Sequence, residues 1–219
     1  MITPNYTSLD GRIRFYNCDC MELMSSGKVW DLAVVDPPYG ISVNMNAGRK
    51  KDTKSKKRKN KKWDNETPSQ DYFDLLMNVA NNQIIFGANH MIDKIKKNSQ
   101  GWIFWDKCVA EGCTFSDGEL AWTSFDRSLK KITSPWSGFI GQEGEKFHPT
   151  TKPIKLYRKV LQNYAKAGDT ILDTHGGSMS SAIACHMEGF ELDICELDKE
   201  YFDAAVNRFK IYEQQQKLF

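Results

Sequence analysis

The most specific chemical pattern in the chain is Asp36-Pro37-Pro38-Tyr39, which follows the apolar run at residues 32–35. The two prolines fix φ and remove two N–H donors, and an ionised aspartate only accepts hydrogen bonds. Acceptors beside a flat ring suit a planar aromatic amine: Asp36 and the Pro37 carbonyl can accept its two N–H groups while Tyr39 stacks on its ring. A proline-rich surface turn with a buried tyrosine is the alternative interpretation.

A second pattern lies at residues 169–196, which read as strand, glycine-bearing turn, helix and strand. Gly176 and Gly177 allow close approach of a ligand at the strand end, where open α/β sheets bind nucleotides. Glu196 closes the second strand, where an acidic side chain can accept both ribose hydroxyls of an adenosine. A pyrophosphate cradle is not supported, because neither G-x-G-x-x-G nor a Walker Lys-Ser/Thr pair occurs here. An adenosine without phosphates fits better, S-adenosylmethionine being the common one, although a glycine turn plus a surface glutamate gives the same pattern.

The charge is concentrated in one segment. Residues 49–62 contain ten Lys or Arg and one Asp, a local charge of +9. Because the net charge of the whole chain is +2, the other residues together carry −7. A stretch without apolar side chains cannot bury surface, so we expect a mobile loop. It is either a solvated charge run or a phosphate-binding segment for nucleic acid, made of the following residues: Arg49, Lys50, Lys51, Lys54, Lys56, Lys57, Arg58, Lys59, Lys61 and Lys62.

Short β-rich runs alternate with amphipathic stretches, which predicts parallel strands with crossover helices. The strands are expected at 13–18, 32–35, 83–86, 102–105, 119–124, 170–172 and 191–195. Helices are expected at 68–81, at 153–166 and from Asp198, which is a plausible N-cap.

The composition excludes several classes of protein. The 219 residues suit one domain with an insertion, and 40% are hydrophobic, as in globular proteins. No apolar run is long enough to cross a bilayer, and the first residues lack a secretory signal layout. The six cysteines show no zinc-type spacing, so we expect no metal site and reduced thiols in a cytoplasm.

The order of the motifs resembles that of the β-class amino-methylating DNA methyltransferases, and the resemblance covers nearly the whole chain. Residues 36–39 match the DPPY motif of the adenine-N6 branch, whereas the cytosine-N4 branch more often has serine in place of that aspartate. The resemblance implies an α/β, Rossmann-like S-adenosylmethionine-dependent methyltransferase fold, with a mostly parallel twisted sheet, helices on both faces and one catalytic domain over 1–219. It further implies N6 methylation of a flipped adenine in double-stranded DNA by Asp36, Pro37, Pro38 and Tyr39.

Three further segments carry the resemblance. Residues 17–20 are similar to the family's GDC segment, 148–153 to its HPTxKP motif, and 173–178 stand where it has DPFxGSG. The Asp-Thr-His variant at 173–175 is similar to phage and prophage members, which implies the cytoplasm of a bacterial or phage-infected cell. The resemblance assigns S-adenosylmethionine binding to Asp19, Asp36, His148, Thr150, Lys152, Asp173, His175, Gly176, Gly177, Ser178 and Glu196.

Two departures from the family pattern affect these expectations. Met179 occupies the position of the last glycine in the cofactor loop, so packing of the following helix must differ. Segment 127–147, where target-recognition elements are inserted, is too short for a full recognition domain. We therefore expect sequence specificity to come from a reduced element, from the basic segment or from a second subunit, and a homodimer is left open.

Other functions remain compatible with the same motifs. Cytosine-N4 in DNA, RNA bases and protein side-chain amides also present a planar NH₂ group. A methyltransferase-like DNA-binding protein that has lost turnover is a non-enzymatic alternative, which the altered glycine loop suggests.

Overall fold

The computed structural model describes residues 2–42, 64–113, 116–136 and 150–215. The basic segment 49–62, His148 and the part of segment 127–147 after residue 136 lie outside these ranges. The strands are β1 (Tyr6–Thr7), β2 (Ile13–Tyr16), β3 (Trp30–Val35), β4 (Ala80–Phe86), β5 (Trp102–Asp106), β6 (Gly118–Thr123), β7 (Lys130–Thr133), β8 (Thr170–Asp173) and β9 (Glu191–Cys195). The α-helices are α1 (Cys20–Met24), α2 (Gln70–Val79), α3 (Ile154–Tyr164), α4 (Ser180–Glu188) and α5 (Lys199–Gln214), with 3₁₀ turns at Ala88–His90 and Ile92–Lys94.

The strands of the described ranges form one sheet in the order β1-β2-β9-β8-β3-β4-β6-β5-β7. Its centre, from β2 to β4, is parallel throughout. β6 runs antiparallel to both β4 and β5, and β7 runs parallel to β5. The expected α/β architecture with a mostly parallel sheet is therefore confirmed.

Helices cover both faces of the sheet, as expected. Side chains alternate along β3: Leu32 and Val34 belong to the core formed with α3, α4 and α5, whereas Ala33 and Val35 belong to the core formed with α1 and α2. A strand buried on both faces is apolar without interruption, which explains the run at 32–35. No helix in the described ranges is long and apolar enough to span a bilayer.

All seven predicted strands are present, but the expectation of parallel pairing was wrong at one side of the sheet. Only residues 107–117 connect β5 to β6, which is too short for a crossover helix, so the two strands pair antiparallel. The N-cap at Asp198 is confirmed, since its carboxylate accepts the backbone N–H groups of Glu200 and Tyr201. α2 begins two residues later than predicted, after Ser69, whose hydroxyl accepts the N–H of Tyr72 at 3.4 Å.

Candidate active site

Parallel strands end at the same edge of a sheet, and the polar motifs follow four such ends. Asp19 lies just after β2, Asp36 after β3, Thr174 after β8 and Glu196 after β9. Open α/β sheets bind ligands in the crevice at this edge. The sheet order β2-β9-β8-β3 thus brings residues more than 150 positions apart into one crevice.

A cavity of about 530 Å³ occupies this crevice. Most of the residues predicted to bind the cofactor contribute to its wall: Asp19, Asp36, Thr150, Lys152, His175, Gly176, Gly177, Ser178 and Glu196. Pro38 also lines this cavity, whereas Pro37 and Tyr39 line a second one.

The glycine turn between β8 and α4 lies against the end of β9. The backbone N–H of Gly176 donates to the Cys195 carbonyl at 2.8 Å, and a Cβ on Gly176 would lie 3.0 Å from the Ile194 side chain. Gly177 has a φ of +49°, in the region that favours glycine, and its N–H donates to Glu196 Oε2 at 2.8 Å. Glycine is therefore favoured at 177 by the backbone conformation and at 176 by the close packing against β9, and both residues line the cavity.

Met179 adopts the conformation that a glycine would adopt more easily. Its φ is +54° and ψ is 35°, and it forms the N-cap of α4. Its side chain is fully buried in the core beneath α3, α4 and α5. The chain thus compensates for the missing glycine with apolar burial, at the cost of a left-handed backbone.

Asp173, which was expected to contact the cofactor, is buried and does not contribute to the wall of the cavity. Its carboxylate accepts the Ser181 hydroxyl at 2.5 Å and the His175 N–H at 3.1 Å. Burial raises the pKa of Asp173 to about 7 although both hydrogen bonds oppose the shift. Asp173 is the last residue of the buried strand β8. Its two hydrogen bonds therefore stabilise the turn that follows.

His175 lines the cavity as an uncharged ring. Burial lowers the pKa of His175 to about 4. Its Nδ1 lies 2.9 Å from the Thr174 hydroxyl, which in turn lies 2.7 Å from the Tyr72 hydroxyl. These contacts orient the imidazole. Because the ring is uncharged near neutral pH, it adds no positive charge to the cavity.

Asp19 caps a helix and lines the cavity at the same time. Its carboxylate accepts the Met21 N–H at 2.9 Å at the start of α1. An aspartate is favoured at an N-cap position in its own right, and the same carboxylate also forms part of the cavity wall.

Asp36 belongs to a buried cluster of charges. Lys152, which is 4% exposed, places its Nζ 2.5 Å from Asp36 Oδ1 and 3.3 Å from Glu119 Oε2. The Tyr39 hydroxyl donates to Asp36 Oδ1 at 2.8 Å. Burial, reinforced by the charge of Glu119 and partly offset by Lys152, raises the pKa of Asp36. Lys152 thus belongs to the charge cluster at the 36–39 turn, although the family resemblance assigns it to the cofactor.

Glu119 remains ionised in this cluster. Burial opposes its charge, but Lys152 and Lys107 outweigh burial and lower the pKa of Glu119 to about 2. Lys107 Nζ lies 2.7 Å from Glu119 Oε1. Neither Glu119 nor Lys107 was identified from the sequence, although a charged side chain within the otherwise apolar strand β6 was an available signal.

The turn at 36–39 is held from outside by Asp64. The Asp64 carboxylate accepts the N–H groups of Tyr39 at 2.8 Å and Gly40 at 3.2 Å. The Tyr39 ring stacks on His90 with centroids 5.2 Å apart. A Cβ on Gly87 would collide with that ring at 2.1 Å, so glycine is needed there for the close approach.

The second cavity, of about 240 Å³, lies on the other side of Asp36. It shares Asp36, Pro38, Thr150 and Lys152 with the first cavity. Its remaining wall includes aromatic and charged side chains from Tyr39, Trp105, Lys107, Glu119 and Trp136. The site therefore has two adjoining compartments with one carboxylate between them. No group of potential metal ligands occurs among the described residues.

The chain is similar in sequence to known DNA methylases. Residues 93–207 match a family model described as DNA methylase. A stretch of 84 residues is 30% identical to the type II methyltransferase M2.DpnII of Streptococcus pneumoniae; the match covers 37% of this chain and 31% of that relative.

Two solved structures have a similar fold. The M1.HpyAVI–SAM complex matches with a TM-score of 0.61 and 19% identity, over 90% of this chain and 99% of that one. The cytosine-N4-specific PvuII DNA methyltransferase matches with a TM-score of 0.62 and 15% identity, over 99% of this chain and 90% of that one.

Proposed function

The chain belongs to the DNA methylase family, and we propose that it transfers a methyl group from S-adenosylmethionine to an exocyclic amino group of a base in double-stranded DNA. The observation that carries this proposal is the position of Asp36 on the wall of both cavities. A methyl donor in the larger cavity and a flat base in the smaller one meet at this carboxylate.

The larger cavity suits the methyl donor. Glu196 and the glycine turn offer acceptors and open backbone to an adenosine, and the neutral His175 adds no charge that would repel a sulfonium. When bound, S-adenosylmethionine supplies an activated methyl group. This assignment is supported by the M1.HpyAVI–SAM complex, a protein of similar fold.

The smaller cavity suits a flipped base. Tyr39 and Trp136 bring aromatic rings to its wall. Stacking on such rings offsets the cost of flipping a base out of the DNA stack, which is roughly a few kcal/mol. We keep the sequence-based proposal that Tyr39 stacks on the base, with His90 supporting the tyrosine ring.

Asp36 and Pro37 act on the amino group. The contacts of Asp36 with Lys152 and Tyr39 both fall on Oδ1, which leaves Oδ2 to accept an N–H of the base. A second N–H reaches the Pro37 carbonyl. Both hydrogen bonds favour a pyramidal nitrogen and return electron density to it in the transition state. Positioning provides much of the remaining rate, without covalent attachment of the base to the protein.

Adenine N6 is the acceptor that we propose. It is supported by the aspartate at position 36, where the resemblance would place serine in a cytosine-N4 enzyme. Cytosine N4 is the second candidate, because the fold is equally similar to that of the PvuII enzyme. Outside the described residues, the basic segment 49–62 is proposed to bind DNA phosphates, and a second subunit remains a proposed source of specificity.

Product analysis tests the function. The chain is incubated with duplex DNA and methyl-labelled S-adenosylmethionine, and the DNA is then digested to nucleosides for mass spectrometry. We expect labelled N6-methyladenine. Labelled N4-methylcytosine would establish the second candidate, and DNA without any labelled base would contradict both.

A further inference from the structure

Lys152 is bonded on three sides within the site. An ammonium group has three N–H donors, and three oxygen atoms surround this one: Asp36 Oδ1 at 2.5 Å, the Tyr39 hydroxyl at 2.9 Å and Glu119 Oε2 at 3.3 Å. These oxygens come from the turn after β3 and from β6. A buried cation with this many partners has a fixed position.

Glu119 has a second cation of its own. Lys107 Nζ lies 2.7 Å from Glu119 Oε1, and its side chain is only 14% exposed. Lys107 also lies over the Trp105 ring, at 4.9 Å from the centroid. The two carboxylates and two ammonium groups therefore balance, and Glu119 stays in place without drawing Lys152 away from Asp36.

We infer that Glu119 is a positioning residue for methyl transfer, an inference that rests on the proposed function. By sharing the Lys152 ammonium, Glu119 holds it on the Oδ1 side of Asp36 and leaves Oδ2 for the amino group. Its negative charge also limits how strongly Lys152 polarises Asp36, so that Asp36 remains a strong hydrogen-bond acceptor.

Several charged or titratable groups act on Asp36 besides Glu119. They come from the turn itself, from the segment before α3, from α3 and from β8: Tyr39, Lys152, Tyr157 and Asp173. Lys152 and Glu119 act on Asp36 in opposite directions: the Lys152 charge lowers the pKa of Asp36, and the Glu119 charge raises it. In Glu119→Gln the Lys152 ammonium is no longer shared with a second anion, so the pKa of Asp36 must fall.

Two readouts on the full chain test this inference. The first is kcat on duplex DNA as a function of pH, at saturating S-adenosylmethionine. The second needs no turnover: the carboxyl ¹³C resonance of Asp36 is titrated in the free protein and assigned by its disappearance in Asp36→Asn.

We expect Glu119→Gln to lower kcat about tenfold and to move both the acid limb of kcat and the Asp36 titration to lower pH by about one unit. Cofactor affinity should stay within twofold of wild type. Glu119→Asp keeps the charge and should keep the wild-type Asp36 titration. Asp106→Asn is the matched control, because Asp106 pairs with Lys131 at 2.7 Å on the neighbouring strand β5 without lining either cavity, and it should behave as wild type.

An unchanged kcat and an unchanged Asp36 titration in Glu119→Gln would overturn the inference. If that variant does not fold, Lys107→Met decides: without the Lys107 ammonium, Glu119 draws Lys152 away from Asp36, and the Asp36 titration should move to higher pH. An unchanged Asp36 titration in Lys107→Met is incompatible with the coupling. A wild-type protein that methylates no DNA contradicts the proposed function, whereas the ¹³C titration still tests the coupling by itself.

Discussion

The Glu196 carboxylate accepts the backbone N–H of Gly177 at 2.8 Å, which joins the end of β9 to the glycine turn after β8. Its other oxygen accepts the Asp198 N–H, also at 2.8 Å. The two bonds fix the carboxylate at the wall of the larger cavity.

Replacing this carboxylate should weaken binding of S-adenosylmethionine. We expect Glu196→Gln to raise the dissociation constant roughly ten- to a hundredfold, because hydrogen bonds from ribose hydroxyls to a charged acceptor are lost. Isothermal titration calorimetry measures the change. The control is Glu191→Gln at the opposite end of β9, where Glu191 pairs with Arg14. Equal affinities for the two variants would exclude Glu196 as a ribose ligand.

Met179 provides a test of the altered cofactor loop. Truncating the buried side chain costs roughly 2–5 kcal/mol, whereas glycine recovers roughly 1–2 kcal/mol of left-handed backbone strain. In urea denaturation we therefore expect the wild type to be the most stable, Met179→Gly to be less stable and Met179→Ala to be the least stable. A Met179→Ala protein as stable as Met179→Gly would show that the backbone at this position is not strained.

Asp173 and His175 have opposite effects on stability as pH changes. Between about pH 4 and 6.5 the unfolded chain protonates His175 and the folded chain does not, so this residue makes stability rise with pH. Over the same range the folded chain keeps a proton on Asp173, whose ordinary pKa is 3.8, so this residue makes stability fall with pH. The two contributions cancel in the wild-type protein.

Single substitutions should therefore reveal each slope. Relative to wild type, the unfolding free energy of Asp173→Asn should rise with pH by up to about 1.4 kcal/mol per unit between pH 4 and 6.5. His175→Gln should show a fall of similar size. Urea midpoints at several pH values give both slopes, and two curves parallel to the wild-type curve would rule out the proposed pKa shifts.

The site could be predicted from the sequence where its motifs are local. Asp36, Gly177 and Glu196 each follow an apolar strand, and parallel strands bring such ends together. Glu119 is visible in the sequence as a charge in strand β6, but its contact with Lys152 could not be predicted. That contact depends on β6 inserting antiparallel between β4 and β5, which no local pattern fixes.

The same limit applies to the fold. β7 was not predicted, because its four residues form a mostly polar segment. It is an edge strand, in which only Ile132 is buried, and such a strand needs little apolar surface. The departure at Met179 was visible in the sequence, but its left-handed backbone and complete burial could be seen only in three dimensions.

The charge of the basic segment 49–62 predicts how its affinity for DNA depends on salt. If six of its lysines each contact one phosphate, replacing Lys50, Lys51, Lys54, Lys56, Lys57 and Lys59 by alanine should flatten the slope of log affinity against log salt by about five. Fluorescence anisotropy with duplex DNA measures the slope. Replacing the same six by arginine keeps the charge and should keep the slope, and an unchanged slope in the alanine variant would indicate a merely solvated segment.

In the proposed function, the Asp36 carboxylate accepts a hydrogen bond from the amino group that is methylated. The most direct measurement is single-turnover methyl transfer by Asp36→Asn, with cofactor affinity measured on the same protein and Asp31→Asn, on the same strand β3, as control. We predict a loss of about a thousandfold or more in the transfer rate, with cofactor affinity within twofold of wild type. A transfer rate within tenfold of wild type would contradict this role of Asp36.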